Sequence, residues 1–283
     1  AVLSFQTGIE NLRKRKLLSS LTLFTIIMIT IGIVIFSSFS SLETTRTIIN
    51  ESTPLYQGVY IRDPAWNGLS QQIIDYLKSA YSNRAEIVIR SWLYTQTPSD
   101  PSITFTIRHG DNVGEIYAIT GLTSSFIDVY PIFNMTGRWF LPDEDFVCVI
   151  PSSIAEEIGA SLTDTIEVIG LKLKVVGIVD DKSIDYIADL DGEPITPYDQ
   201  QDPEILDAHV LASQTIFVPF KLLEPWRPTI ASVSIIPYDP NLAPSIVEDL
   251  VRNFNFHVRC GVGDKIIYYS PALVVTVFGW QIQ

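Results

Sequence analysis

LLSSLTLFTIIMITIGIVIFSSF, residues 17–39, is the stretch that decides how this chain is organised. It runs for 23 residues without a charge. At about 1.5 Å rise per residue, a helix of this length covers roughly 35 Å, enough for a hydrocarbon layer of about 30 Å. It reads as a transmembrane helix. Arg13, Lys14, Arg15 and Lys16 stand directly before it, and the first charge after it is Glu43. Cationic flanks stay on the cytoplasmic side. Residues 1–16 are therefore expected inside the cell, and everything from about residue 40 outside it. The competing reading is a cleaved signal peptide. Its apolar region is usually about 7–15 residues, ending at an A-x-A-like site, and this stretch is longer and has no such site.

Charge divides the chain at the same place. Residues 1–50 hold five basic and two acidic residues, net +3 against a total of −13, which leaves −16 on residues 51–283. A body this acidic argues against nucleic-acid binding, which needs basic surface, and against close contact with an anionic membrane face. It suits solubility outside the cell. Cys148 and Cys260 fall on the outer side, where a disulfide is allowed. Two cysteines so far apart are weak evidence for one. Cys148 lies in the apolar run FVCVI and reads as a buried thiol.

Either side of the span, the ends invite separate readings. In residues 1–16, Val2, Phe5, Ile9 and Leu12 recur at helical spacing beside a basic end. Two readings stand: a helix lying in the inner interface, and a polar turn that begins the span. Residues 40–55 are polar up to Pro54 and read as a helical stalk. Pro271–Gln283 is uncharged and largely apolar. It reads as the start of a second membrane helix, with a buried terminal segment as the alternative.

The body, 56–270, has the element order of an α+β domain. Gly58–Arg62 reads as a strand, Leu69–Tyr81 as a helix with Ile73, Ile74, Leu77 and Tyr81 on one face, and Ala85–Thr95 as a strand. Ser102–Arg108 alternates and turns through His109-Gly110-Asp111-Asn112 into Val113–Thr120. Short helices are expected at Ser124–Tyr130 and Ile154–Ile158, and strands at Phe146–Ile150, Thr165–Ile169 and Lys172–Val179. Strands Thr215–Phe220 and Ala231–Ile236 precede a helix, Asn241–Phe254, with Asn241 as N-cap and Pro244 in its first turn. Phe256–Cys260 and Lys265–Tyr269 follow as strands. The simplest architecture joins β-α-β halves, roughly 56–120 and 215–270, with a β-rich insertion at 121–214.

Asp180–Asp207 is an acidic loop with ten acidic residues and one lysine. Its Asp189-Leu190-Asp191-Gly192-Glu193 invites a calcium reading, but an EF-hand loop needs Gly at its sixth position and Glu at its twelfth. From Asp189, glycine falls fourth and the twelfth residue is Gln200. The loop reads as solvated or facing a partner.

Three ordered pieces resemble a family. Asn11-Leu12-Arg13-Lys14-Arg15-Lys16 through Leu21-Thr22 to Ile31-Gly32-Ile33 is similar to the opening of MacB/FtsX-type ABC transporter permeases. Gly137-Arg138-Trp139-Phe140, with Asp143-Glu144 and Val147-Cys148-Val149-Ile150, resembles that family's GRWF…DE…VCV stretch. Ile154-Ala155, Ile158-Gly159, Asp164-Thr165-Ile166 and Lys174-Val175-Val176-Gly177-Ile178-Val179 resemble the next block of its MacB-like periplasmic core domain, and Ile216-Phe217-Val218-Pro219 a later strand. One departure is visible: Thr163 precedes Asp164 where the family often has glycine. The resemblance implies a permease subunit with no catalytic residue, metal or cofactor of its own. It implies a cytoplasmic ABC ATPase partner, a permease homodimer or pseudo-dimer, the lipid bilayer, and further membrane helices. It also implies an outer domain that couples ATP hydrolysis to export, extraction or partner regulation through the stalk.

The motif residues themselves suit structural work. Gly137 suits a turn that Cβ would forbid, Trp139 and Phe140 carry large apolar area, Gly177 suggests a bulge or close backbone approach, and Arg138 has Asp143 and Glu144 as candidate ion partners. No G-x-x-x-x-G-K-[ST], G-x-S-x-G or H-E-x-x-H is present, and His109, His209 and His257 share no ligand spacing. Asn50-Glu51-Ser52 and Asn134-Met135-Thr136 are sequons on the outer side. Two alternatives remain: the ligand-binding ectodomain of a membrane sensor, and a tethered hydrolase using carboxylates of the acidic loop.

Overall fold

The computed structural model describes residues 16–37, 39–95, 104–132, 134–199, 208–277 and 280–282. Arg13, Lys14 and Arg15, the proposed interfacial segment, and positions 200–207 of the acidic loop lie outside the described residues. Ala1–Thr45 with Pro271–Gln283 forms one compact unit and Arg46–Ser270 a second.

In the first unit, Lys16 opens helix α1, Lys16–Ser37, 22 residues long. Every described side chain between Leu18 and Val34 is exposed or half-buried, with Phe24 at 61%. Among the residues whose side chains are described, no helix is long and apolar enough to cross a membrane.

Two expectations of helix are corrected beside it. The stretch read as a helical stalk holds strand β1, Phe39–Asn50. The stretch read as the start of a second membrane helix continues a strand. Composition explains both. Thr44, Thr45, Thr47, Ile48 and Ile49 in one, and Val274, Val275, Thr276 and Val277 in the other, are β-branched residues that favour extended backbone.

The second unit is built on a β-α-β-β-α-β frame. Strand β2 (Gly58–Arg62) leads through helix α2 (Gln71–Tyr81) to β3 (Ala85–Tyr94). Much later, β12 (Thr229–Pro237) leads through α7 (Ala243–Phe254) to β13 (Val258–Val262). In space these strands lie in the order β13-β2-β12-β3, so β12 sits antiparallel between β2 and β3. This is the split βαβ arrangement. Ala243, Ile246, Val247, Leu250 and Val251 form the buried face of α7, and Ile74, Leu77 and Tyr81 that of α2. Both pack on the sheet over Val59, Ile61, Ile89 and Val233. The N-cap position of α7 is Leu242, with no side-chain cap bond, rather than Asn241. Asn241 lies in a short 3-10 turn, Pro240–Leu242, capped by Asp239, whose Oδ1 accepts from the Asn241 N–H at 3.0 Å.

Between β3 and β12 the chain builds an inserted lobe. Its strands are β4 (Phe105–His109), β5 (Asn112–Ile116), β6 (Ala118–Leu122), β7 (Met135–Gly137), β8 (Val147–Pro151), β9 (Thr165–Val168), β10 (Leu171–Val179) and β11 (Thr215–Pro219). The helices are α3 (Phe126–Val129), α4 (Ser152–Ile158), α5 (Asp181–Asp185) and α6 (Phe220–Leu223). The sheet continues from β3 as β6-β11-β8-β10-β9-β4-β5, with β7 on β10. At the other edge lies β14 (Lys265–Val277), flanked by β1 and by β15 (Trp280–Ile282).

The lobe is wider than 121–214. Strands β4, β5, β6 and β11, expected in the two halves, belong to it: β4 pairs with β9 and β6 with β11. Their apolar side chains decide this, because Ile107, Ile116, Ile119 and Val218 fill one core with Cys148, Ile166 and Val175. The single strand expected at Val113–Thr120 is two. The Tyr117 N–H donates to Gln214 O at 2.8 Å, which breaks the ladder and redirects the chain from β5 to β6.

Candidate functional site

Arg90 lies in the apolar run IVIRSW of β3, where its side chain is only 3% exposed. A buried guanidinium must be paired and hydrogen-bonded to be tolerated. Its Nε donates to Ser232 Oγ at 3.0 Å and Nη2 to the Tyr60 hydroxyl at 3.1 Å. Nη2 also lies 3.4 Å from Asp189 Oδ2, whose side chain is fully buried. Asp189 comes from the inserted lobe, in a turn where the Gly192 N–H donates to Asp189 O and Gly192 has φ 84°. The hydroxyls of Tyr56 and Tyr130 donate to its two oxygens at 3.0 and 2.7 Å, and the Leu190 N–H donates at 2.8 Å. Ser234 Oγ lies 2.8 Å from both phenols.

A second ion pair runs beside the first. Arg62 Nε donates to Asp191 Oδ2 at 2.5 Å, with side chains 8% and 0% exposed. The Arg62 guanidinium also donates to the carbonyls of Asp63 and Pro64 and lies 4.0 Å from the centre of the Trp66 ring. Two arginines of the frame thus hold two aspartates of one loop in the inserted lobe.

Burial sets the electrostatics. It pushes the Asp189 carboxyl up, opposed by Arg90. It also raises the phenols of Tyr56, Tyr60 and Tyr130, which stay neutral and donate. Burial works against the charge of Arg90, and Tyr60 and Asp189 outweigh it, so the guanidinium stays protonated. His209 closes the far side. Its Nδ1 donates to Thr196 O at 2.5 Å, and its ring stands edge-on to Trp66 and Tyr198. Burial lowers its pKa to about 4. It is neutral at pH 7, so the 3.8 Å approach of Nε2 to Glu193 is no ion pair there.

This set can lock, and offers little chemistry. Asp189 and Asp191, the carboxylates first considered for calcium or hydrolysis, are each held by an arginine and buried. Sequence reasoning missed Arg62, Arg90, Tyr56 and Tyr130, and weighed His209 only as a metal ligand. The available signal was an arginine inside each of two apolar strand runs, VYIR and IVIR.

The motif residues named from sequence gather elsewhere, on and around β7 and β10. Gly137 and Gly177 are paired Cα partners of these antiparallel strands. Arg138 donates both terminal nitrogens to Glu144, at 2.7 and 2.6 Å, and lowers the Glu144 pKa to about 2. Trp139 and Phe140 are buried against Phe126 and Phe217. Asp164 Oδ2 accepts from Ser161 N at 2.8 Å, and its carbonyl from Val175 N at 2.9 Å. Cys148 and Cys260 are free buried thiols in different cores. Burial raises the Cys260 pKa to about 11.

Among the solved structures similar to this chain are two transporter domains. The extracellular domain of the noncanonic ABC-type transporter YknZ from Gram-positive bacteria is 15% identical, with a TM-score of 0.43, covering 70% of this chain and 92% of that one. The periplasmic region of MacB from Actinobacillus actinomycetemcomitans is 14% identical, with a TM-score of 0.44, covering 75% and 87%. No curated protein matches the sequence. Residues 21–223 match the family described as the MacB-like periplasmic core domain. The chain belongs to that family, the extracytoplasmic domain of MacB/FtsX-type ABC transporter permeases.

Proposed function

We propose that this chain is the membrane anchor and outer domain of an ABC-type permease subunit. In this reading α1 crosses the bilayer with Arg13 to Lys16 inside, and Arg46–Ser270 works outside the cell. A separate cytoplasmic ATPase hydrolyses ATP, and two permease copies or halves act together. Motion of the membrane helices reaches the body through β1. The frame and inserted lobe move as one piece because Arg62–Asp191 and Arg90–Asp189 tie them. The outer domain then exports or extracts a substrate, or moves a partner.

The observation that carries this reading is the family match at residues 21–223, which overlaps the uncharged stretch 17–39. Flexible Gly-Ser insertions at residues 44–50 of the full-length subunit test it. Transport, or the outer-domain response to ATP, is expected to fall while ATPase binding persists. Unchanged transport would contradict transmission through β1.

A further inference from the structure

A cavity of about 620 Å³ opens in the Arg46–Ser270 unit between residues 53–55, β14 and the segment from α5 to Asp189. Small-ligand pockets run to about 300–1,000 Å³. This volume equals about 20 water molecules, the bulk of a short peptide. Leu55, Ile187 and Ile266 supply apolar wall. Thr53 and Asn134 add a hydroxyl and an amide, the groups that pair with peptide bonds. Asp180 and Lys182 bring one charge of each sign. Among the described residues, none of these four polar side chains has a hydrogen-bond or ion-pair partner. Asp180 serves the fold through its backbone, its N–H donating to Asn134 O and its carbonyl accepting from Ser183 N.

We infer that this cavity binds a short apolar peptide with free ends. Asp180 takes the ammonium terminus, Lys182 the carboxylate, Thr53 and Asn134 the amides, and the apolar wall the side chains. The inference stands apart from the transport reading, because binding needs neither ATP nor a partner subunit. Asp189 joins the cavity wall to Arg90, so an occupied cavity stiffens the tie between inserted lobe and frame.

Calorimetry on the full chain in detergent tests it, with trileucine as probe. Trileucine is expected to bind, and its N-acetyl, C-amide form about tenfold more weakly, the loss of both end charges. Asp180→Asn and Lys182→Gln are each expected to weaken trileucine about fivefold and to leave the capped form unchanged. Both substitutions keep the backbone bonds of Asp180, and unchanged melting curves show that the fold is intact. Equal binding of free and capped peptide, binding indifferent to both variants, or no binding at millimolar trileucine would overturn the inference. So would displacement of trileucine by a zwitterionic phospholipid, which would make the occupant a lipid.

Discussion

Gly137 and Gly177 face each other across the β7–β10 pair, and neither position has room for a side chain. A Cβ on Gly177 would sit 2.5 Å from Arg138 O, and one on Gly137 would sit 2.5 Å from Val176 O. Gly137 also has φ 89°, a conformation that L residues avoid. The pairing register on β8 shifts between Val175 and Gly177, so the close approach coincides with a bulge. Gly137→Ala and Gly177→Ala are each expected to destabilise the domain by about 3 kcal/mol, as backbone clashes that no rotamer relieves. Denaturant unfolding followed by tryptophan fluorescence checks this. A loss below ~0.5 kcal/mol at both positions would show that the strands can part freely.

Thr163 offers the opposite test. It carries φ 73° while its N–H donates to Val175 O at 2.8 Å. A β-branched residue in the left-handed region is strained by about 1–2 kcal/mol, and glycine removes that strain at some cost in chain entropy. Thr163→Gly is expected to raise stability by about 1 kcal/mol. Thermal melts of the two proteins decide the sign.

Arg90 and Asp189, which latch the frame to the inserted lobe, should be worth far more together than apart. Removing Asp189 alone strands the Arg90 guanidinium in a site 3% exposed. Asp189→Leu or Arg90→Met alone is expected to cost about 3–5 kcal/mol. The double variant is expected to recover part of the loss, because an apolar pair leaves no buried charge, while Tyr56 and Tyr130 still lose an acceptor. A double-mutant cycle measures the coupling. Additive losses would mean that the two residues do not sense each other.

His209 gives the domain an acid-side slope. Its folded pKa is about 4 against 6.5 for the free side chain. The unfolded chain therefore binds more protons between these values, and stability falls as pH drops from about 6.5 towards 4. Above pH 6.5 His209 is neutral in both states and contributes no slope. The loss across this window is on the order of 3 kcal/mol. Melting temperatures from pH 7 to pH 4 are expected to fall more steeply in the wild type than in His209→Gln.

The legible parts of the fold were those set by local pattern. β2, α2 and the β4–β5 turn follow hydrophobic spacing and turn residues, and β3 falls within the apolar stretch Ala85–Thr95 that reads as a strand. Thr163 stood out as a departure from glycine before its φ was known. Pairing was not legible. Whether β4 joins the frame or the inserted lobe depends on what Ile107 packs against, a contact with β9 some 60 residues away. The latch was hidden for the same reason. Asp189 looked like a solvated loop residue because its partners Arg90, Tyr56 and Tyr130 are far from it in sequence. β1 was misread because polar composition was weighed above the β-branching of Thr44 to Ile49.

The most direct test of the outer-domain reading is labelling of single cysteines in intact cells with a membrane-impermeant maleimide. Cys148 and Cys260 are buried and give a quiet background. Asp111 is exposed at the β4–β5 turn, and Ser4 precedes the basic run. Asp111→Cys is expected to label in intact cells, and Ser4→Cys only after the membrane is opened. Labelling of Ser4→Cys in intact cells, with Asp111→Cys protected, would reverse the topology and contradict an extracytoplasmic domain.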